Sequence, residues 1–308
     1  MAQAAATFSA PKKKIKVSAG RRVFVVFNYI FCFLVGMICL VPVLHILAVS
    51  FSGIDAVVSN KVTLWPIDFN LENYEIVVGD AQFFRSYLVT FLRAIVGWAV
   101  SMLMTVLASY PMSLRQSAFP KRKYFVWYFM GTMLFNGGMI PTFLVVKSYG
   151  LLNTVWALVL PGAVPIFNVI LVMNFFAAVP KELEEAAFID GANPFQVLTK
   201  IFIPISKPVL ATVSLFSIVG SWNDFYSGLI YMSKAAYYPL MTYIQSLQIN
   251  VEDLIKQGNL SAVVDSASLG NTNLNAAKIV IAVIPLLLIY PLLQRYFVSG
   301  IVVGSVKG

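Results

Sequence analysis

Two polar clusters interrupt an otherwise apolar chain of 308 residues, and their composition limits the chemistry available to it. The first is Trp222-Asn223-Asp224 with Tyr226 close behind. It offers an amide, a carboxylate and two aromatic rings with polar tips. Such groups hold a hydroxyl-rich solute by hydrogen bonds and ring contact; they do not by themselves break a bond. Asn168, Asn174 and Asn136, the last beside Met133 and the pair Gly137-Gly138, are further polar or small positions that such a solute could pass. The competing reading of each is an interhelical hydrogen bond or a packing residue. The second cluster is Glu184, Glu185, Ala186, Ala187, Asp190, Gly191 and Ala192. Acids followed by paired small residues suit a docking surface, because alanines let another backbone approach closely.

Catalytic sets are missing. The single histidine, His45, has no Ser/Asp partners in a recognisable arrangement, and it reads as packed or cavity-facing. No GxxxxGK[ST] phosphate loop occurs, so no nucleotide site is expected in this chain. The two cysteines, Cys32 and Cys39, lie in one apolar run with no metal-ligand spacing, and they are expected to be packing residues.

The elements that must position these clusters are membrane helices. The chain is 59% hydrophobic and 11% charged, against roughly 25% charged in an ordinary soluble domain. That excludes a simple cytosolic globule and a disordered chain. A crossing helix needs about 20 apolar residues. Val23–Ile54, Ala94–Leu114, Tyr124–Val146 and Ser148–Val179 contain no Asp, Glu, Lys or Arg, and Pro208–Ser233 contains only Asp224. Ile279–Gln294 completes a set of six when its flanks extend it. The first run is too long for a cleaved signal core, so it reads as a retained span. The expected fold is an all-α membrane protein of six transmembrane helices. It comprises a basic tail (1–22), a helical domain (23–298) and a short tail (299–308). Pro42, Pro141, Pro161, Pro165, Pro285 and Pro291 punctuate the spans, and such breaks suit a cavity-lining protein.

The net charge of +9 could suggest nucleic acid, but the basic residues lie mostly between apolar runs, the pattern of membrane topology. With the N-terminus in the cytoplasm, the inner segments carry fifteen Lys and Arg and the outer ones six. Both termini are therefore expected in the cytoplasm. Arg93, a few residues inside its span, is expected to snorkel to the outer surface, with neutralisation of an acidic solute as the lesser reading.

The inner loop 180–208 has its own grammar. Pro180 suits a helix start, and Glu182, Glu184 and Glu185 favour the positive end of the helix dipole. Asp190-Gly191 should end that helix. A second short helix is expected over Phe195–Ile203, ended by Pro204 and Pro208. The result is a helix–turn–helix across the mouth of the bundle.

Glu185-Ala186-Ala187, then Gly191, then Ile201-Phe202-Ile203-Pro204 resembles the EAA loop of ABC importer permeases, with Ile203 where the family usually has Leu. Trp222-Asn223 and the end Phe297–Gly308 are similar to the MalG-like carbohydrate permeases. Phe135-Asn136-Gly137-Gly138-Met139-Ile140-Pro141-Thr142 resembles the LplC/YtcP-type branch, associated with complex or uronate-containing oligosaccharides such as alginate or pectin fragments. The resemblance implies a type I importer (MetI-like) permease fold in a bacterial inner membrane. It implies an oligosaccharide substrate and a heterodimer with a second permease subunit. It also implies an ATPase dimer that holds the ATP and Mg, and an extracytoplasmic substrate-binding protein. It makes Glu184–Ala192 the ATPase-coupling segment, and it implies that Gly304, Val306 and Lys307 of the tail reach the ATPase, the alternative being a frayed end. A secondary transporter driven by an ion gradient, a permease for a non-sugar solute and a membrane enzyme are the rival readings.

Overall fold

A computed structural model describes residues 19–247 and 272–305, with side chains described for 20–247 and 272–291. Among the described residues all regular structure is helical. In chain order the helices are α1 (Ala19–Ser50), α2 (Ile54–Val58), α3 (Glu72–Gly79), α4 (Ala81–Ser113), α5 (Arg122–Leu134), α6 (Met139–Ser148), α7 (Val155–Val159) and α8 (Ile166–Ala177). They continue as α9 (Lys181–Ile189), α10 (Pro194–Val197), α11 (Ile203–Ile205), α12 (Lys207–Asn223), α13 (Tyr226–Tyr231), α14 (240–247) and α15 (Thr272–Ser305).

Among the described residues three helices are long and apolar enough to cross a membrane: α1, α4 and the Thr272–Pro291 part of α15. Three bent pairs raise the number to six. Two runs expected as continuous spans are therefore bent, and a third, Pro208–Ser233, is interrupted at Asp224-Phe225. In Tyr124–Val146, α5 and α6 meet at 111°. The break is local chemistry: Gly138 sits at φ +85°, a region that favours glycine, and the Asn136 carboxamide accepts its N–H at 2.9 Å. In Ser148–Val179 the chain bends by 50° near Pro165, which has no N–H to continue a ladder.

The centre of the bundle is α4, which packs against α7, α8 and α12, while α15 packs against α12, α3 and the end of α1. Val106, Tyr110, Val172, Phe176 and Val213 form one core, at the C-terminal end of α4. Val77, Phe83, Trp222, Leu240 and Ala277 form another, at its N-terminal end. Among the described residues, nothing buries most of α1. Cys32 and Cys39 are consequently exposed on it, not packed as expected, because none of the described residues covers that stretch. His45 donates Nδ1–H to the Thr63 carbonyl at 2.7 Å and so ties α1 to the following loop.

Asp80 fastens three elements where α4 begins. One carboxylate oxygen caps α4 by accepting the Gln82 and Phe83 N–H groups at 3.0 and 3.1 Å. The other accepts the Tyr243 hydroxyl of α14 at 2.8 Å and pairs with Lys278 of α15 at 3.2 Å. Lys278, one of the six basic residues counted to the outer segments, is 3% exposed.

Nearby, α13 lies tight against α14. A Cβ on Gly228 would fall 2.0 Å from the Thr242 hydroxyl oxygen and 2.8 Å from the Pro239 ring. Overpacking of this kind costs about 1–3 kcal/mol. Gly228→Ala is expected to lower the temperature at which the solubilised protein loses its monodisperse chromatographic peak. An unchanged temperature would show that the two segments do not touch as described.

Candidate functional site

A cavity of about 350 Å³ lies between α4, the α7–α8 bend and the C-terminal half of α12. Its polar wall is built by helical spacing. Arg93, Gly97 and Ser101 recur every four residues on α4, and Ser217, Ser221 and Asp224 recur at four and three on the α12 side. Each set is a stripe on one face. The stripes meet closely: Ser101 and Ser217 share a hydrogen bond at 3.2 Å, and Trp98 donates to the Ser214 hydroxyl at 3.0 Å. Gly97 stands opposite Ser221, and a Cβ there would be 3.4 Å from its hydroxyl oxygen. Asn168 of α8 completes the polar lining, with Pro161 and Pro165 at the bend.

Arg93 is the unexpected member. It does not snorkel; it is 4% exposed and pairs with Asp224. One terminal nitrogen donates to the Asp224 carboxylate, and the other donates to the Asp224 backbone carbonyl at 3.0 Å. That carbonyl belongs to the break between α12 and α13, where the helix ladder stops. A guanidinium here satisfies a freed carbonyl and a carboxylate together, which makes both tolerable inside a membrane. Asp224 also accepts the Ser227 N–H at 3.1 Å and the Ser227 hydroxyl at 2.5 Å, in the first turn of α13.

Of the residues expected to line a path, the structure brings Asn168 and Asp224 into this cavity. The others lie outside it. Trp222 is buried, donates its indole N–H to the Ala282 carbonyl at 3.0 Å and meets Tyr87 edge-on. It is a packing residue between α12 and α15. Asn223 is exposed beside the break. Tyr226 is exposed, with its hydroxyl 3.1 Å from the Met139 sulfur. Asn136 is engaged in the α5–α6 turn. The lining serines were not singled out, and Arg93 was read mainly as a snorkelling residue, although the four-residue spacing of these positions in apolar helices was a readable signal.

The second site is the 180–208 loop. Pro180 is the N-cap of α9, one position earlier than a first-turn proline. The helix ends with Gly191 at φ +81°, the Gly191 N–H on the Phe188 carbonyl at 3.1 Å and the Ala192 N–H on the Ala187 carbonyl at 2.9 Å. This bond pair satisfies the last carbonyls, and it requires a left-handed residue at Gly191. Asn193 and Gln196 then form a reciprocal capping box, and Pro194 opens α10. Contrary to expectation, Pro204 does not end the second helix. A π-helical turn over Leu198–Phe202 leads into α11, which contains Pro204, and the chain turns at Ser206 by 83° into α12.

Val197, Leu198 and Phe202 are buried in the core at the C-terminal end of α4, so α10 and its extension root the loop. α9 projects from that root. Glu185, Ala186, Asp190 and Gly191 are exposed, while Ala187 and Ala192 pack inward on the core. The two neighbouring alanines thus face different ways. Ile189, not singled out before, is 86% exposed at the end of α9, and Phe188 and Phe195 are exposed nearby. Glu185 pairs with Arg115 at 3.2 Å, but both side chains are more than half exposed, so the pair contributes about 0–1 kcal/mol. Burial pushes the Glu184 carboxyl above its usual range, and the Glu185 charge adds to the shift against the opposing pull of Arg115 and Lys181. Gly304 falls in the last turn of α15, while Val306 and Lys307 lie outside the described residues.

A broken-helix bundle with a cavity inside and a projecting helical loop outside defines a membrane permease. The chain belongs to the family of binding-protein-dependent transport system inner membrane components, whose model matches residues 86–303. It is 39% identical to the polygalacturonan/rhamnogalacturonan transport system permease protein YtcP of Bacillus subtilis, over 93% of this chain and 99% of that one. It is 40% identical to the protein LplC of the same organism, over 93% and 96%. Among solved structures it is similar to a bacterial ABC transporter involved in the import of the acidic polysaccharide alginate, with 31% identity, a TM-score of 0.79, and 91% of this chain and 99% of that chain covered. The chain is accordingly a transport component of an inner membrane, not an enzyme.

Proposed function

We propose that this permease is one half of an ATP-driven importer that moves an oligosaccharide, with acidic ones such as alginate- or pectin-derived fragments included. The observation that carries the mechanism is the placement of α12. It starts at Lys207, directly after the docking loop, and ends at Asn223, beside the Arg93–Asp224 pair. At roughly 1.5 Å per residue, its 17 residues span about 25 Å. A push on the loop therefore reaches the cavity through one rigid element. Similarity to a permease named for polygalacturonan and rhamnogalacturonan, and to a transporter involved in alginate import, supports the substrate class.

In this reading a second, non-identical permease completes the path, and an extracytoplasmic binding protein delivers the sugar. An ATPase dimer holds the ATP and Mg and receives α9. Glu184, Glu185, Ala186, Asp190 and Gly191 form the contact, with Ile189 as its apolar centre and Ala187 and Ala192 seating the helix from behind. The Lys/Arg distribution supports cytoplasmic termini, with a basic tail over 1–22 and a short tail over 299–308. The resemblance of that end to the MalG-like permeases supports the reading that Gly304, Val306 and Lys307 reach the ATPase.

Ile189→Asp tests the docking face. Co-purification of the ATPase subunits is expected to fall at least ten-fold, with loss of ligand-stimulated ATP hydrolysis, while membrane insertion stays normal. Unchanged attachment would remove α9 from the contact. Uphill uptake by vesicles holding this chain alone would sink the whole reading.

A further inference from the structure

The cavity chemistry goes further than a hydroxyl-lined path. We propose that Arg93 recognises the carboxylate of a uronate unit, which takes the place of Asp224 on the guanidinium as the chain passes. This deepens the oligosaccharide reading and rests on it.

The geometry leaves Arg93 with capacity to spare. A guanidinium has five N–H donors in a fixed fork. The described bonds use its two terminal nitrogens on one residue, Asp224. Its Nε is buried and has no partner. A buried donor without an acceptor costs free energy, so a second acceptor at that edge is favourable. Among the described residues lining the cavity, Arg93 is the only cation. Guanidinium forks favour planar carboxylates over single hydroxyls, and more so when desolvated.

Asp224 is built to let go. Were Arg93 its only partner, displacement would leave a carboxylate stranded in the membrane. It keeps the Ser227 N–H at 3.1 Å and the Ser227 hydroxyl at 2.5 Å, and it is 28% exposed. Release therefore leaves it hydrogen-bonded and partly wetted. The surrounding groups fit the rest of a sugar ring: Ser101, Ser217 and Ser221 bring hydroxyls, and Asn168 brings an amide. The cavity of about 350 Å³ is within the usual range for ligand pockets, roughly 300–1,000 Å³.

The resident carboxylate also explains how such a site avoids becoming a trap. Conduction needs binding strong enough to admit the solute and weak enough to release it. With Asp224 competing for the same fork, the uronate is held only while it outbids a tethered rival. The return of Asp224 expels it. A neutral sugar meets a paired, uncharged wall and gains only the hydroxyl contacts.

The test uses the assembled transporter, purified without its binding protein, in equilibrium binding of two probes: trigalacturonate and its methyl-esterified counterpart, in which every carboxylate is masked. Wild type is expected to favour the anionic probe at least ten-fold. Arg93→Gln combined with Asp224→Asn removes both charges with little change of shape. It should lose that preference and keep its affinity for the masked probe. Asp224→Asn alone should bind trigalacturonate at least five-fold more tightly and import it more slowly. If the double variant keeps the anionic preference, or loses both probes alike, the proposal is overturned, the latter outcome marking the pair as structural. Equal wild-type binding of the two probes overturns it while leaving the oligosaccharide reading intact. Binding of neither probe by wild type sinks that reading as well.

Discussion

Gly191→Val is expected to abolish substrate uptake and to release the ATPase, while the protein still inserts at normal levels. The cause is backbone geometry and not lost space. Gly191 sits at φ +81°, and no atom lies within 4 Å of where a Cβ would be. A β-branched residue strongly disfavours that region, so α9 must end differently. The two bonds that close it, Gly191 to Phe188 and Ala192 to Ala187, are then lost together. Asn193 could no longer start its capping box at the same point, and the exposed face of α9 would swing away from its docking partner. Strain of about 1–3 kcal/mol is small against the stability of the bundle, but it falls entirely on the loop. Gly191→Asn is the control, since Asn tolerates the left-handed region and should keep much of the activity. Uptake and ATPase co-purification measured side by side decide the matter. Wild-type values for the Val variant would show that the turn plays no part in coupling.

Asp80→Asn should produce the largest loss of stability. The amide can still cap α4, but Lys278 would be left buried without a counter-charge. Removing one partner of a buried pair costs roughly 3–5 kcal/mol, and the partial exposure of Asp80 puts the expected loss toward ~3 kcal/mol. Burial alone would raise the Asp80 carboxyl. The Tyr243 hydroxyl, the Phe83 N–H and Lys278 outweigh it and hold the group below the usual carboxylate value. A carboxyl lowered in the folded state contributes stability above its unfolded value of about 3.9, and that contribution is lost as the pH falls further. The gap in heat stability between wild type and Asp80→Asn is therefore expected to be full at pH 7 and to close below about pH 4. A gap independent of pH would mean that the lost interaction is not ionic.

How much of this was readable from residue order depends on the kind of signal. The all-helical class followed from the apolar runs, and the docking loop followed from its punctuation. Pro180 and Asp190-Gly191 each carry a local backbone rule that works within four residues, whereas the Asn193–Gln196 capping box, equally local, was not read from the sequence. The breaks inside the spans were harder. Tyr124–Val146 reads as one apolar run because hydropathy is blind to direction, whereas the turn at Asn136–Gly138 needs only a glycine and a side-chain acceptor. Long-range pairing was harder still. Arg93 and Asp224 are 131 residues apart, as Asp80 and Tyr243 are 163 apart, and nothing local to either partner announces the other. A charge near a span end looks like a snorkelling residue until its partner is placed. Trp222 looked like a sugar platform for the same reason, since its true neighbour, Ala282, lies 60 residues further on.

The sparse packing of α1 gives the molecule a dependence on its lipid. At roughly 1.5 Å per residue, its 32 residues make a rod of about 48 Å, well beyond the ~30 Å hydrocarbon depth of an ordinary bilayer. Among the described residues its buried contacts lie near Ala48 and Val49, so a lean of the rod would turn about that end. A thinner leaflet would tip it further and a thicker one would stand it upright, while α4, α8 and α12 kept their places. Acyl-chain length thereby becomes a dial on one arm of the subunit.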